Sequence, residues 1–269
     1  MERVPCPVYD GIPLPLFNPI KENCEKRLNE VLNFDSRQTD ILICSYPKSG
    51  THWSCEIIRM LMEEKEELQT TCTVDTILEE MPNLEKLDDA IDPRRLNSHL
   101  PVRFLPRKHI QHKYRLIHVI RNPKDICVSY YHHAKQDIVT GPIGTWEDYF
   151  NKFLSGEVPY GSWFTYVKGM EELQREYPQF LLIYYENLHK DLKNTVQKLA
   201  DFLGVTTTHD KIQKIIQATK FENMSKGGFI FRKGITGDWR NFFTENQNRH
   251  FEDHFNREMR NSSYKFIFE

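Results

Sequence analysis

Apolar positions along this chain follow two periods. Short, near-continuous apolar runs, Ile41-Leu42-Ile43-Cys44, Tyr114 through Ile120 and Phe180 through Tyr185, predict strands buried on both faces. After the first run, Trp53, Ile57, Ile58, Leu61 and Met62 recur at helical spacing. After the third, Val196, Leu199 and Leu203 form the inward face of a helix that Gly204 ends. After the second, Asn122 suits an N-cap, Pro123 the first helical turn, and Asp125 the positive helix end. Strand and helix in alternation predict an α/β fold: a parallel β-sheet flanked by helices on both faces. Ligands of such sheets gather at the carboxyl ends of the strands, where Lys48, Arg121 and Tyr185 all fall. The Pro-rich start, Pro5 to Pro19, predicts an ordered arm over the body. No repeat, low-complexity tract or Gly/Ser linker divides the chain, so one domain over residues 1–269 is expected.

The turn between the first strand and its helix, Tyr46-Pro47-Lys48-Ser49-Gly50-Thr51-His52-Trp53, carries the sharpest chemistry. A strand, a tight turn and a helix aim backbone N–H groups and a positive helix end at one point, which suits a phosphate or sulfate. Lys48 adds a charge at its mouth. In a nucleoside-triphosphate loop, glycine and lysine come just before the Ser/Thr. Here the lysine precedes Ser49-Gly50-Thr51, which argues against an ATP or GTP site. Arg121 and Ser129 offer a guanidinium and a hydroxyl near a second strand end, suited to a second phosphate. By themselves they fit an ordinary ion pair and an incidental hydroxyl equally well.

With 39% hydrophobic and 12% aromatic residues, the chain has material for a sizeable core. A net charge of −2 gives no basis for a nucleic-acid or membrane-surface partner. Any positive charge for a polyanion must be local. The start, Met1-Glu2-Arg3-Val4-Pro5, lacks the apolar core of a signal peptide, and no apolar run is long enough to span a bilayer. Six scattered cysteines without metal spacing suit a reduced, cytoplasmic protein. Cys44 and Cys127 read as small core residues. The N-x-S/T matches at Asn223 and Asn261 are then without meaning.

Pro47-Lys48-Ser49-Gly50-Thr51, ending in Trp53, closely resembles the 5′-phosphosulfate loop of the cytosolic sulfotransferases. Arg121-Asn122-Pro123-Lys124-Asp125 through Ser129 resembles their 3′-phosphate motif, and Phe231-Arg232-Lys233-Gly234 through Trp239 their second nucleotide segment. The resemblance runs from Gly11 to Met259. It implies a single sulfotransferase domain that uses 3′-phosphoadenosine 5′-phosphosulfate as donor and releases adenosine 3′,5′-bisphosphate. Lys48, Ser49, Gly50, Thr51, His52 and Trp53 would hold the 5′ end, with Trp53 on adenine. Arg121, Ser129, Arg232, Lys233 and Gly234 would hold the 3′-phosphate. Tyr185, Thr219, Phe221, Met224 and Phe231 match adenine-side positions, while Ile230 stands where the family has an aromatic. His99, in Asn97-Ser98-His99-Leu100-Pro101, matches the family's general base, a role that suits a neutral imidazole. Lys48 would stabilise the leaving phosphate, and Ser129 would restrain Lys48 until the acceptor binds. No metal is implied.

Departures from the pattern set further expectations. Asn97 replaces a lysine that contacts the transferred group, which bears on turnover and acceptor choice. His52 replaces a threonine, predicting donor affinity that varies between pH 5.5 and 8. The link from Met224 to Arg232 is short, predicting a more open acceptor pocket. Arg240 through Arg249 only partly matches the family's dimer motif, leaving a monomer and a non-standard homodimer both open. For the acceptor, Phe17, Phe104, Tyr131, His133 and Phe153 are candidate pocket residues, with Asn97, Ser98 and His99 beside them. They suit a small, largely apolar phenol, alcohol or amine. His133, where many members carry phenylalanine, makes the pocket more polar. Two rivals stand: a family member that binds the nucleotide without turnover, and a small-molecule kinase, which the loop order disfavours.

Overall fold

The computed structural model of the chain describes residues 4–63, 68, 77–136, 138–225 and 233–268. The amino-terminal arm folds as a short antiparallel hairpin, β1 (Val8–Tyr9) with β2 (Ile12–Pro13), followed by helix α1 (Asn18–Leu32). Leu14 is fully buried beneath the body, so the arm is ordered as its prolines suggest.

Four parallel strands form the central sheet: β3 (Ile41–Ser45), β4 (Arg95–Ser98), β5 (Arg115–Ile120) and β6 (Phe180–Tyr184). They lie in the order β4-β3-β5-β6. Side chains alternate across the sheet and so make two cores. Ile41, Ile43, Ile117, Val119, Leu181 and Ile183 face α2 (Thr51–Met62), α8 (Leu192–Leu203) and α9 (His209–Ala218). Leu42, Cys44, Leu96, Leu116 and Ile120 face the other way, into an aromatic-rich core. That core includes α4 (Pro123–Gln136), α5 (Trp146–Ser155), α6 (Trp163–Gln174) and α11 (Glu245–Glu258). Each fully buried Leu, Ile or Val contributes roughly 1.5–3 kcal/mol by leaving water, so the two faces together dominate stability. Short helices α3 (Arg107–Gln111), α7 (Tyr185–Lys190) and α10 (Phe221–Met224) complete the described α-helices. No described helix is long and apolar enough to cross a membrane.

All three predicted strand-to-helix units are present. Asn122 Oδ1 accepts the Asp125 N–H at 2.9 Å, the capping bond expected of it. Gly204 ends α8 in the left-handed region, at φ 72°. Boundaries shift slightly: Tyr114 precedes β5, and Tyr185 opens α7 instead of closing a strand.

The pattern gave no sign of β4. Its run, Arg95-Leu96-Asn97-Ser98, is mostly polar because it lies at an end of the described sheet. Arg94 and Asp40, one residue ahead of β4 and β3, form a buried bidentate pair through Nε–Oδ1 at 2.8 Å and Nη2–Oδ2 at 2.6 Å. That pair sits beside the register Ile41↔Arg95 through Cys44↔Ser98. The next residues in line are Ser45 and His99, and this register brings His99 to the phosphate-type turn.

Candidate active site

The turn from β3 to α2 bends through Lys48, at φ 68°, and Gly50, at φ 97°. Lysine in this region is strained, whereas glycine enters it without steric cost. Gly50 has a second reason: a Cβ there would lie 2.5 Å from the Tyr185 ring. Ser45 Oγ and Thr51 Oγ1 meet at 2.7 Å across the base of the turn. The Tyr46 hydroxyl donates to the Gly161 carbonyl at 2.7 Å, tying the turn to the loop before α6. The first turn of α2 directs its N–H groups and positive end outward from this base.

Arg121 closes β5 beside the same point. Its Nη1 donates to the Lys48 carbonyl and its Nη2 to the Ile235 carbonyl, each at 3.1 Å. Its guanidinium carbon lies 4.1 Å from the centre of the Tyr185 ring. The buried Nε has no hydrogen-bond partner among the described residues. Asp125 holds the carboxyl-terminal segment here: it accepts the Gly237 N–H at 2.8 Å and the Trp239 N–H at 3.1 Å. Lys233 pairs with the buried Asp238 at 2.8 Å. The missing side chain of Gly234 makes room for the Phe221 ring, which a Cβ would meet at 1.9 Å.

His99 is buried where β4 ends. Its Nδ1 lies 2.7 Å from the Ser45 carbonyl, so Nδ1 carries the proton and Nε2 keeps its lone pair. Burial, with a smaller push from Lys48, lowers its pKa to about 4 despite the Ser45 bond. The imidazole is neutral at pH 7. Behind it, the fully buried Glu79 accepts the His99 backbone N–H at 2.6 Å and the Ser98 hydroxyl at 2.9 Å. Desolvation raises the Glu79 pKa to about 7.

A cavity of about 280 Å³ joins these parts. Of the expected site residues, Phe17, Lys48, Gly50, Thr51, His52, Trp53, His99, Arg121, Ser129, His133, Tyr185, Thr219, Phe221, Met224, Lys233 and Gly234 line it. Phe231 and Arg232, the short link and Ile230 lie outside the described residues. Ser49, Asn97 and Ser98 do not line it. Ser49 is fully buried within the turn. Asn97 lies beneath the cavity, its Oδ1 2.8 Å from Cys55 Sγ, because strand alternation turns it toward α2. Ser98 is occupied with Glu79.

Three candidate acceptor residues lie away from the cavity. Phe104 and Phe153 belong to the aromatic core, and Tyr131 packs on Trp146 at 5.2 Å. The cavity takes the face of α4 that carries Ser129, Tyr130 and His133, from which Tyr131 points away. The His52 imidazole is neutral at pH 7 in the free protein. Burial, then Lys48, His99 and His133, push its pKa down to about 3. The segment compared with a dimer motif spends its aromatics internally: Phe243 packs on Phe150 at 5.4 Å and Phe251 at 5.6 Å.

Sequence reasoning missed Glu79, Glu80 and Tyr160. Tyr160 lines the cavity at φ 68°, its ring 5.3 Å from that of His99. Its hydroxyl donates to Glu80 Oε1 at 2.7 Å. No local pattern marks a tyrosine for a left-handed conformation. The one available signal was the neighbouring Gly161, which is also left-handed, at φ 76°.

A strand-to-helix anion cradle, a buried arginine beside it and a neutral imidazole at the same cavity define a group-transfer α/β protein built around an anionic donor. A sulfotransferase-domain profile matches residues 38–263, and the chain belongs to the sulfotransferase family. It is 34% identical to mouse sulfotransferase 1B1 over 262 residues, covering 87% of each chain. It is 34% identical to bovine sulfotransferase 1A1 over 295 residues, covering 99% of this chain and 97% of that one. The crystal structure of mouse sulfotransferase SULT7A1 complexed with PAP superposes with a TM-score of 0.83 at 32% identity, covering 95% of each chain.

Proposed function

We propose that this protein transfers a sulfuryl group from 3′-phosphoadenosine 5′-phosphosulfate to the hydroxyl or amine of a small acceptor, and that residues 1–269 act as one sulfotransferase domain. The observation that carries the reading is His99, neutral and tethered through Nδ1 to Ser45, in the cavity that Lys48 and Arg121 also line. The fit to the donor rests on two features: the α2 terminus, and the orphaned Arg121 Nε beside the turn.

In this reading the α2 turn holds the 5′-phosphosulfate. Arg121, Ser129, Lys233 and Arg232 hold the 3′-phosphate, and Trp53, Tyr185, Phe221 and Met224 bound the adenine. When bound, the donor supplies the sulfuryl group. His99 Nε2 takes the proton of the acceptor hydroxyl as the new O–S bond forms. Lys48 stabilises the electron pair left on the 5′-phosphate as the old S–O bond breaks.

A transfer assay with labelled donor and a panel of phenols, alcohols and amines tests this. His99→Ala is expected to lose about 10²–10⁴ in kcat/KM, the usual worth of a positioned base. Undiminished transfer by that variant would exclude His99 as the base. Nucleotide binding with no transfer to any acceptor would favour the reading of an inactive family member.

A further inference from the structure

Residues 262–268, after α11, have no regular secondary structure and are held at both ends. At the near end the buried Glu171 of α6 grips them with both oxygens. Its Oε2 accepts the Ser262 hydroxyl at 2.6 Å, and its Oε1 accepts the Ser263 N–H at 2.6 Å and the Ser263 hydroxyl at 2.7 Å. At the far end the Phe268 carbonyl accepts the Trp239 indole N–H at 2.9 Å. The Phe268 ring lies 5.0 Å from Lys124 Nζ, which itself lies 4.2 Å over the Trp239 ring. Trp239 belongs to the 233–239 stretch, whose Lys233 lines the cavity. Residues 262–268 therefore buttress that stretch. Ser263 is exposed on irregular backbone, and the exposed Arg260 stands three residues ahead of it. A basic residue at that distance from an accessible serine is a charge pattern that protein kinases read.

We propose that Ser263 is a phosphorylation site, and that a phosphate there displaces residues 262–268 from Glu171 and loosens the hold of the 233–239 stretch on the nucleotide. The last part rests on the sulfotransferase reading. In the step, a protein kinase transfers the γ-phosphoryl group of ATP. The Ser263 Oγ–P bond forms, the bond to ADP breaks, and the hydroxyl proton passes to the kinase's base. Glu171 then loses a hydroxyl donor and faces a charge of about −1.5 to −2 in its place. Glu171 is itself ionised. Burial opposes this, but its bonds to Ser262 and Ser263, aided by Arg175, hold its pKa below the ordinary value. Two anions at hydrogen-bond spacing repel, and the Ser263 N–H moves away with its side chain. Tyr264 stays buried and Phe266 stays 5.2 Å from Trp163, so the segment loosens without unfolding the body.

The probes are the catalytic subunit of cyclic-AMP-dependent kinase with labelled ATP, and adenosine 3′,5′-bisphosphate. The folded protein should incorporate phosphate at Ser263, located by mass spectrometry, and Arg260→Ala should slow the incorporation. Calorimetry should then show the nucleotide Kd weakened by at least about fivefold, the low end of a coupling between two sites. In Glu171→Gln, which removes the repelling charge, phosphorylation should leave the Kd nearly unchanged. No incorporation at Ser263, an unchanged wild-type Kd because Arg175 takes up the phosphate, or an equal loss in Glu171→Gln overturns the proposal. If the unmodified protein does not bind the nucleotide, the donor reading fails separately. Faster hydrogen exchange over residues 262–268 on phosphorylation then supports the release, and unchanged exchange overturns it.

Discussion

Burial holds the His99 imidazole at about 4 and the Glu79 carboxyl at about 7, and one backbone N–H joins the two residues. Their pH signatures therefore differ. For His99 the base form persists well below its ordinary range, so the acid limb of kcat/KM should lie near pH 4. A pH–rate profile with its limb at 6.5 would contradict the neutral, buried imidazole. For Glu79 the folded-state value is raised above the ordinary 4.5, so the folded state holds a proton that the unfolded chain has released. Stability relative to Glu79→Gln is then greatest below about pH 4.5 and falls as pH rises through 7. The full difference is about 3 kcal/mol, readable from urea melts at pH 5 and 8. Identical pH dependence in both proteins would show that Glu79 is not desolvated as described. Neither carboxylate of the Glu79–Glu80 pair was legible in the sequence. Their significance depends on a backbone N–H and a hydroxyl contributed from 20 and 80 residues away.

Local rules fully anticipate some elements, and those are the ones whose interactions close within a few residues. Asn122 caps α4 through Asp125, three residues on, and Gly204 ends α8 by its own backbone freedom. The glycines of the site are different: Gly50 and Gly234 are demanded by distant rings as well as by their positive φ. Gly50→Ala should cost about 1–3 kcal/mol in strain alone and weaken nucleotide binding, because its Cβ must displace Tyr185. Melting temperature and a nucleotide Kd measured together would check both parts. Asp125 is the corresponding test for the carboxyl-terminal segment. Asp125→Ala removes acceptors from two backbone N–H groups, one of them fully enclosed, and should cost about 1–3 kcal/mol for each left unsatisfied. Nucleotide affinity should fall with it, and unchanged affinity would mean that the 233–239 stretch keeps its place by other means.

At the scale of the molecule, the proposed nucleotide site lies where β3 and β5 end, in a cavity that α7, α10 and the carboxyl-terminal segment also line. A ligand that bridges so many elements should stabilise all of them together. Adenosine 3′,5′-bisphosphate at a hundredfold excess over its Kd should add about 2.7 kcal/mol and raise Tm by several degrees. A thermal-shift titration reads this directly, and no shift at saturation would contradict a shared site. Chain order and periodicity were enough to establish the α/β class, the three main strand-to-helix units and the anion-binding turn, since each follows from contacts within about twenty residues. The tautomer of His99, the carboxylates behind and beside it, and the separation of cavity residues from core aromatics came only with the tertiary structure. The reason is register: a polar end strand with no pattern of its own pairs with β3, and that pairing sets His99 against Ser45.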